Sequence, residues 1–126
     1  MKFSHGLVCA LLSVTSLGAT AEVVHFDARK YDELRREGQP VIVHTDASWC
    51  PVCRKQHELL SSIEREPQLQ NVTVFVVDID ADKDVMQTLH LTNRSLFIAY
   101  KGEAEVGRSQ GDTDKASIEA LFAKTL

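Results

Sequence analysis

A chain of 126 residues is long enough for one compact domain and too short for two. With 44% hydrophobic and 25% charged residues, 6 Gly and 3 Pro, its balance excludes a disordered tail, a collagen-like repeat and a disulfide-dense mini-protein. The formal net charge is -4 and no basic stripe interleaves with aromatics, which argues against a nucleic-acid partner.

The first element in chain order reads as a leader, apart from the fold. Lys2 supplies a positive charge, Leu7 to Leu17 form a mostly apolar run, and Ala19-Thr20-Ala21 has the small-x-small pattern of a signal-peptidase site. The run is about half the roughly 20 residues that span a bilayer. Cleavage after Ala21 is therefore expected, with a single domain over residues 22–126. Cys9 would leave with the leader, so Cys50 and Cys53 would be the only thiols of a chain exported to an oxidising compartment. A bacterial periplasm fits that compartment best, with secretion as the alternative. No second long apolar segment follows, so no membrane span is expected in the mature chain.

Val23–Phe26 is a short strand candidate. Asp27 can cap a helix over Ala28–Glu37, which Gly38 stops. Val41-Ile42-Val43 reads as a strand buried on both faces. Val52, Leu59, Leu60 and Ile63 place one apolar stripe on a helix from Pro51 to Glu66, which Pro67 ends. The β-branched run Val72–Ile79 is the strongest strand. Asp82 or Asp84 can cap a short helix reaching Leu89. Ser95–Tyr100 and Ala104–Ser109 form a hairpin around Lys101-Gly102-Glu103. Gly111 and Asp112 then open a last helix that carries Ile118, Leu121 and Phe122. The order β-α-β-α-β-α-β-β-α predicts an α/β fold, a central sheet with helices on both faces.

Trp49-Cys50-Pro51-Val52-Cys53 lies between a buried strand and a helix start. Two cysteines at this spacing on the first turn of a helix can bring their sulfurs within bonding distance. Pro51 suits the first helical position, where a missing N–H costs nothing. Cys50 sits at the positive end of the helix dipole, which favours the thiolate, the attacking species. Cys50 is thus the expected exposed nucleophile and Cys53 the resolving thiol, with Trp49 shielding one side. The alternative, a permanent staple, closes so short a loop that it would restrain the unfolded chain little.

With these motifs the chain resembles the thioredoxin superfamily from about Val23 to its C-terminus. The resemblance rests on the Val41–Ser48 strand and loop, the Trp49–Cys53 motif, the Asp78-Ile79-Asp80 strand end and the Lys101-Gly102-Glu103 hairpin. It implies a thioredoxin-like fold, a mixed central sheet, and thiol–disulfide exchange through a mixed disulfide. No cofactor is implied. The length leaves no room for the helical insertion of periplasmic disulfide-introducing oxidases. The Pro-Val dipeptide is neither the Gly-Pro of thioredoxin reductants nor the Pro-His of those oxidases, so the direction of electron flow stays open.

Three positions depart from the family pattern. His44 stands where a buried Asp is usual; it is either the proton acceptor for Cys53 or a neutral core histidine. Arg94 stands at the family's cis-proline, where a trans bond is expected. It either sets a positive charge near Cys50 or lies in an exposed loop. Glu58 replaces a kinking proline, and one step earlier His57 lies four residues beyond Cys53, on the same helical face. Cys50, Cys53 and His57 would then suit zinc or copper(I). His25 and His90 have no partner at ligand spacing. The alternating Asp78, Asp80, Asp82 and Asp84 lack the Gly and Glu of a calcium loop and read as a solvated strand end.

The reading is therefore an exported thiol–disulfide oxidoreductase. Cys50, Cys53 and His44 carry its chemistry, and Trp49, Pro51, Val52 and Arg94 meet the substrate. Its partners are exported proteins with cysteines or disulfides and a redox partner protein. The alternative is a metal-binding module or metallochaperone using Cys50, Cys53 and His57.

Overall fold

The computed structural model describes residues 21–126, so Lys2, Cys9 and the apolar run of the expected leader lie outside the described residues. The elements are β1 (Glu22–His25), α1 (Ala28–Arg36), β2 (Pro40–Asp46), α2 (Pro51–Ile63), a single 3-10 turn (Pro67–Leu69), β3 (Thr73–Asp78), α3 (Lys83–Thr88), β4 (Leu96–Lys101), β5 (Ala104–Gln110) and α4 (Lys115–Ala123). The expected order of strands and helices is present.

The five strands form one mixed sheet in the order β1-β3-β2-β4-β5. Strands β1 and β2 run parallel to β3, β4 runs antiparallel to β2, and β5 runs antiparallel to β4. Strand β2 lies at the centre, paired on both edges. Its buried run extends from Val41 through Thr45, beyond the three apolar residues that mark it in the sequence. His44 and Thr45 belong to it because both pair with β3, His44 pairs also with β4, and the Thr45 carbonyl accepts the Ser95 N–H.

Successive β2 side chains point to opposite faces and so feed two cores. Ile42 packs with Leu60 and Ile63 of α2, Phe97 of β4, and Ile118 and Phe122 of α4. Val41 and Val43 pack with Tyr31 of α1, Phe75 and Val77 of β3, and Ile98 of β4, with Val85 and Met86 of α3 against them. Helices α2 and α4 thus cover one face of the sheet, and α1 and α3 the other.

Element ends differ from the sequence expectation where several polar groups compete for the same turn. Helix α1 ends at Arg36, and Gly38 takes the left-handed φ of 73° that lets its N–H reach the Arg35 carbonyl. Helix α2 ends at Ile63 and not Glu66: the Arg65 and Glu66 N–H groups bond back to Ser62 and Ile63, a tighter turn that runs into Pro67–Leu69. Gly111 and Asp112 do not open the last helix. Asp114 does, its carboxylate accepting the Ser117 N–H at 2.9 Å, while Asp112 accepts the Asp114 N–H at 2.9 Å in the turn before. Asp82 takes the cap position of α3, but its carboxylate accepts the Asp78 N–H at 2.8 Å and caps no helical N–H.

Candidate active site

The C-terminal end of β2 delivers Ala47 to Trp49 into a turn that ends on Cys50, the N-cap of α2. Cys50 has extended backbone angles (φ -91°, ψ 116°) and its sulfur accepts the Cys53 N–H at 3.2 Å. Pro51 occupies the first helical position, where no N–H has to be satisfied. Both cysteines are free thiols. Cys53 lies one turn inside, fully buried against Ala47, with Ile79 packed alongside.

The exposure expected of Cys50 is corrected: only 1% of the residue is open to solvent. The loop after α3 crosses the head of α2 and lays Ser95 against the sulfur. The Ser95 hydroxyl stands 3.3 Å from Cys50 Sγ and 3.0 Å from Cys53 Sγ. Sequence reasoning missed Ser95 as a site residue. Its only signal was its place beside Arg94, for which a position near Cys50 was one of two alternatives. Ser95 also holds a left-handed φ of 60°, which costs an L-residue roughly 1–2 kcal/mol. Its N–H bonds to the Thr45 carbonyl at 2.9 Å, and its carbonyl accepts from Gly111 N–H at 2.8 Å and Gln56 Nε2 at 3.1 Å. Thr45 Oγ1 donates to the Asn93 carbonyl at 2.7 Å and accepts the Leu96 N–H at 3.0 Å, so the central strand grips the loop on both sides of Ser95.

These contacts set the two thiols apart. Burial pushes Cys50 up, but hydrogen bonds involving the Cys53 side chain, the Ser95 hydroxyl, the Cys53 N–H and Arg94 outweigh it and lower the thiol to about 7. Burial pushes the Cys53 thiol up, and its neighbour Cys50 adds to the rise. One sulfur is thus readily ionised, and the other is held as a thiol.

Of the residues expected to meet a substrate, Trp49 is 55% exposed, Val52 is 39% exposed, and Pro51 is also exposed. Trp49 donates its indole N–H to Asp80 at 2.8 Å, and the Arg94 guanidinium lies 5.0 Å from the centre of its ring. Arg94 is exposed and yet lies close enough to Cys50 to favour its thiolate, so both of its alternatives hold in part. There are no cis peptide bonds among the described residues. A pocket of about 210 Å³ opens beside the thiols, lined by Val52, Asn93, Arg94, Ser95, Gln110 and Gly111.

His44 is not placed as a proton acceptor for Cys53. Both amide hydrogens of Gln56 are taken, by the carbonyls of Ser95 at 3.1 Å and Asp112 at 3.0 Å, so its oxygen must accept. It does so from His44 Nε2 at 2.9 Å, which fixes the imidazole tautomer. The ring stacks on Phe97 with centroids 4.4 Å apart. Burial holds the imidazole neutral and lowers its pKa to about 4. His44 thus orients Gln56, which in turn holds the Ser95 loop.

The metal set is corrected as well. His57 Nε2 pairs with Asp46 at 3.0 Å, and among the described residues no group of three or more His, Cys, Asp or Glu side chains is placed to hold a metal ion. His25, which has no partner at ligand spacing, lies 3.3 Å from Asp82. In the acidic run, Asp78 accepts the N–H groups of Asp80 and Ala81 at 2.9 and 3.1 Å, and Asp80 holds Trp49. These carboxylates build the turn after β3.

A dithiol at the head of a helix, on a mixed sheet covered on both faces, defines a thiol-exchange protein of thioredoxin-like fold. The family model Thioredoxin matches residues 22–124, and the chain belongs to that family. It is 29% identical over 97 residues to a putative thioredoxin-5 of Dictyostelium discoideum, covering 77% of this chain and 91% of that protein. It is 32% identical over 84 residues to a thioredoxin of Chlamydia muridarum, covering 67% of this chain and 80% of that one. Among solved structures it is similar to Trxlp from Edwardsiella tarda EIB202, with a TM-score of 0.76 and 29% identity over 80% of this chain and 98% of that one. The protein is a thiol–disulfide oxidoreductase with Cys50 and Cys53 as its pair.

Proposed function

We propose that this oxidoreductase is exported and exchanges disulfides with cysteine-bearing proteins of that compartment. The observation that carries the reading is the division of labour between the thiols: Cys50, lowered to about 7 at the head of α2, and Cys53, buried and raised one turn inside. Cys50 thiolate attacks a substrate disulfide, or a substrate thiolate attacks the Cys50–Cys53 disulfide. Either way a mixed disulfide forms at Cys50, and Cys53 resolves it. Exposed Trp49 and Val52, with the pocket that Arg94 lines, present a surface for the polypeptide around the substrate cysteine. Cys50 is covered while the site is at rest, so docking of the partner has to uncover its sulfur. The leader-like pattern of residues 1–21 supports export, and a second protein resets the pair after each turnover.

The test is the Cys53→Ser variant expressed from the full sequence, with acid-quenched, thiol-blocked cells fractionated and run without reductant. Reducible adducts on Cys50, carried by a chain that begins at Glu22 and recovered with exported proteins, are the expected result. Adducts only with proteins retained inside would remove export and leave the exchange. No adducts in any fraction would remove the protein substrates.

A further inference from the structure

We propose that the Ser95 hydroxyl is a catalytic residue of the exchange, passing the resolving proton between Cys53 and the sulfur that leaves Cys50. This rests on the exchange at Cys50 and Cys53 described above. Three observations carry it. Ser95 Oγ lies within hydrogen-bond distance of both sulfurs of the pair, 3.0 Å from the attacking Cys53 and 3.3 Å from Cys50, which carries the substrate sulfur. No other side chain among the described residues bonds to both. Of the other groups that could serve as a base, Asp46 and His57 pair with each other, and His44, whose Nε2 donates to Gln56 and whose Nδ1 has no partner, makes no hydrogen bond to either sulfur. Finally, the hydroxyl is held in place. Its residue keeps a left-handed φ of 60° under backbone bonds to Thr45, Gly111 and Gln56.

In the mixed disulfide, Cys50 Sγ is bonded to the substrate sulfur. Cys53 Sγ forms its bond to Cys50 Sγ as the bond to the substrate sulfur breaks, and that sulfur leaves with the electron pair. The Cys53 proton moves to Ser95 Oγ while the hydroxyl's own proton moves to the departing sulfur. Serine ends neutral, the cysteine pair ends oxidised, and the substrate sulfur ends as a thiol. The reverse direction uses the same path. A hydroxyl is too weak a base to hold the proton, but a relay asks only that it accept and donate together.

The test follows the resolving step by rapid acid quench and intact mass. It uses reduced wild type, Ser95→Gly and Ser95→Ala, with two disulfide probes. Bis(2-hydroxyethyl) disulfide has a leaving thiol that needs a proton. Dithiobis(nitrobenzoate) has one that leaves as a stable anion. Glycine suits the positive φ, and alanine keeps the Cβ, so one variant relieves the backbone and the other preserves it. The expected result is at least about a tenfold slower resolution with the hydroxyethyl probe in both variants, and a clearly smaller loss with the nitrobenzoate probe. Resolution within twofold of wild type would overturn the proposal. An equal loss with both probes would also overturn it, since it would reduce Ser95 to a spacer. If wild type itself released no thiol from either probe, the exchange reading would fall first.

Discussion

A thiol lowered to about 7 is half ionised at neutral pH, whereas an ordinary cysteine is only a few per cent thiolate there. At Cys50 this follows from several modest donors, and Arg94 is the one that brings a full charge. Arg94→Gln should raise the midpoint of the pH profile for Cys50 alkylation and slow alkylation at pH 7 by about twofold, as a shift of about half a pKa unit from 7 requires. An unchanged profile would limit Arg94 to its contact with Trp49. The roles suggested by Cys50, Pro51 and Cys53 were legible because they depend on a helix start, which is local. Ser95 was not legible, because a serine in a loop looks like any other until the loop is folded over the thiols. His44 was visible as an unusual residue, but its duty was not. That duty depends on Gln56, whose two amide hydrogens are claimed by carbonyls from distant segments.

Among the elements, α2 positions the chemistry and α4 backs it. The α2 cap is unusual in that the sulfur of the site residue itself accepts the helical N–H, so the bond that starts the helix also stabilises the thiolate. Helix α4 packs Ile118 and Phe122 into the same core as Leu60 and Ile63 of α2, and it starts at Asp114. Asp114→Ala should cost about 1 kcal/mol and lower the melting temperature by about 4–8 °C, with the alkylation profile of Cys50 unchanged. A melting temperature equal to wild type would show that Asp112, two residues earlier, serves as the cap in its place. Helix and strand identities were readable throughout, because periodicity is a local signal. The ends at Ile63 and Lys115 were not readable, since adjacent carboxylates and N–H groups compete there and only the path of the folded chain decides among them.

The molecule as a whole stores a pH dependence in its centre. His44 is fully buried, and its pKa falls to about 4 from the usual 6.5. Between those values the unfolded chain binds a proton that the folded chain refuses, so stability falls as pH falls through the window. Above pH 6.5 both states are neutral and the ring contributes no slope. The loss accumulated from 6.5 down to 4 is about 3 kcal/mol. Urea unfolding of wild type and His44→Phe at pH 7 and 4.5 should show the wild-type advantage shrinking by roughly 2–3 kcal/mol at the lower pH. A gap that stayed constant would mean that the buried ring takes up its proton without unfolding.

Local pattern was enough to determine the run of strands and helices, the two-faced core and the redox pair, because each rests on residues within a turn or a strand of one another. Packing decided what surrounds that pair. The pairing of β2 with β4 brings residues 44 and 45 against a loop some fifty positions later in the chain, covering Cys50 and placing Ser95 between the sulfurs. The same closure commits the Gln56 amide to the Ser95 carbonyl and leaves its oxygen to His44. Hydrogen bonds between such distant segments leave no periodic trace in the sequence. They form only once burial has removed water as the competing partner.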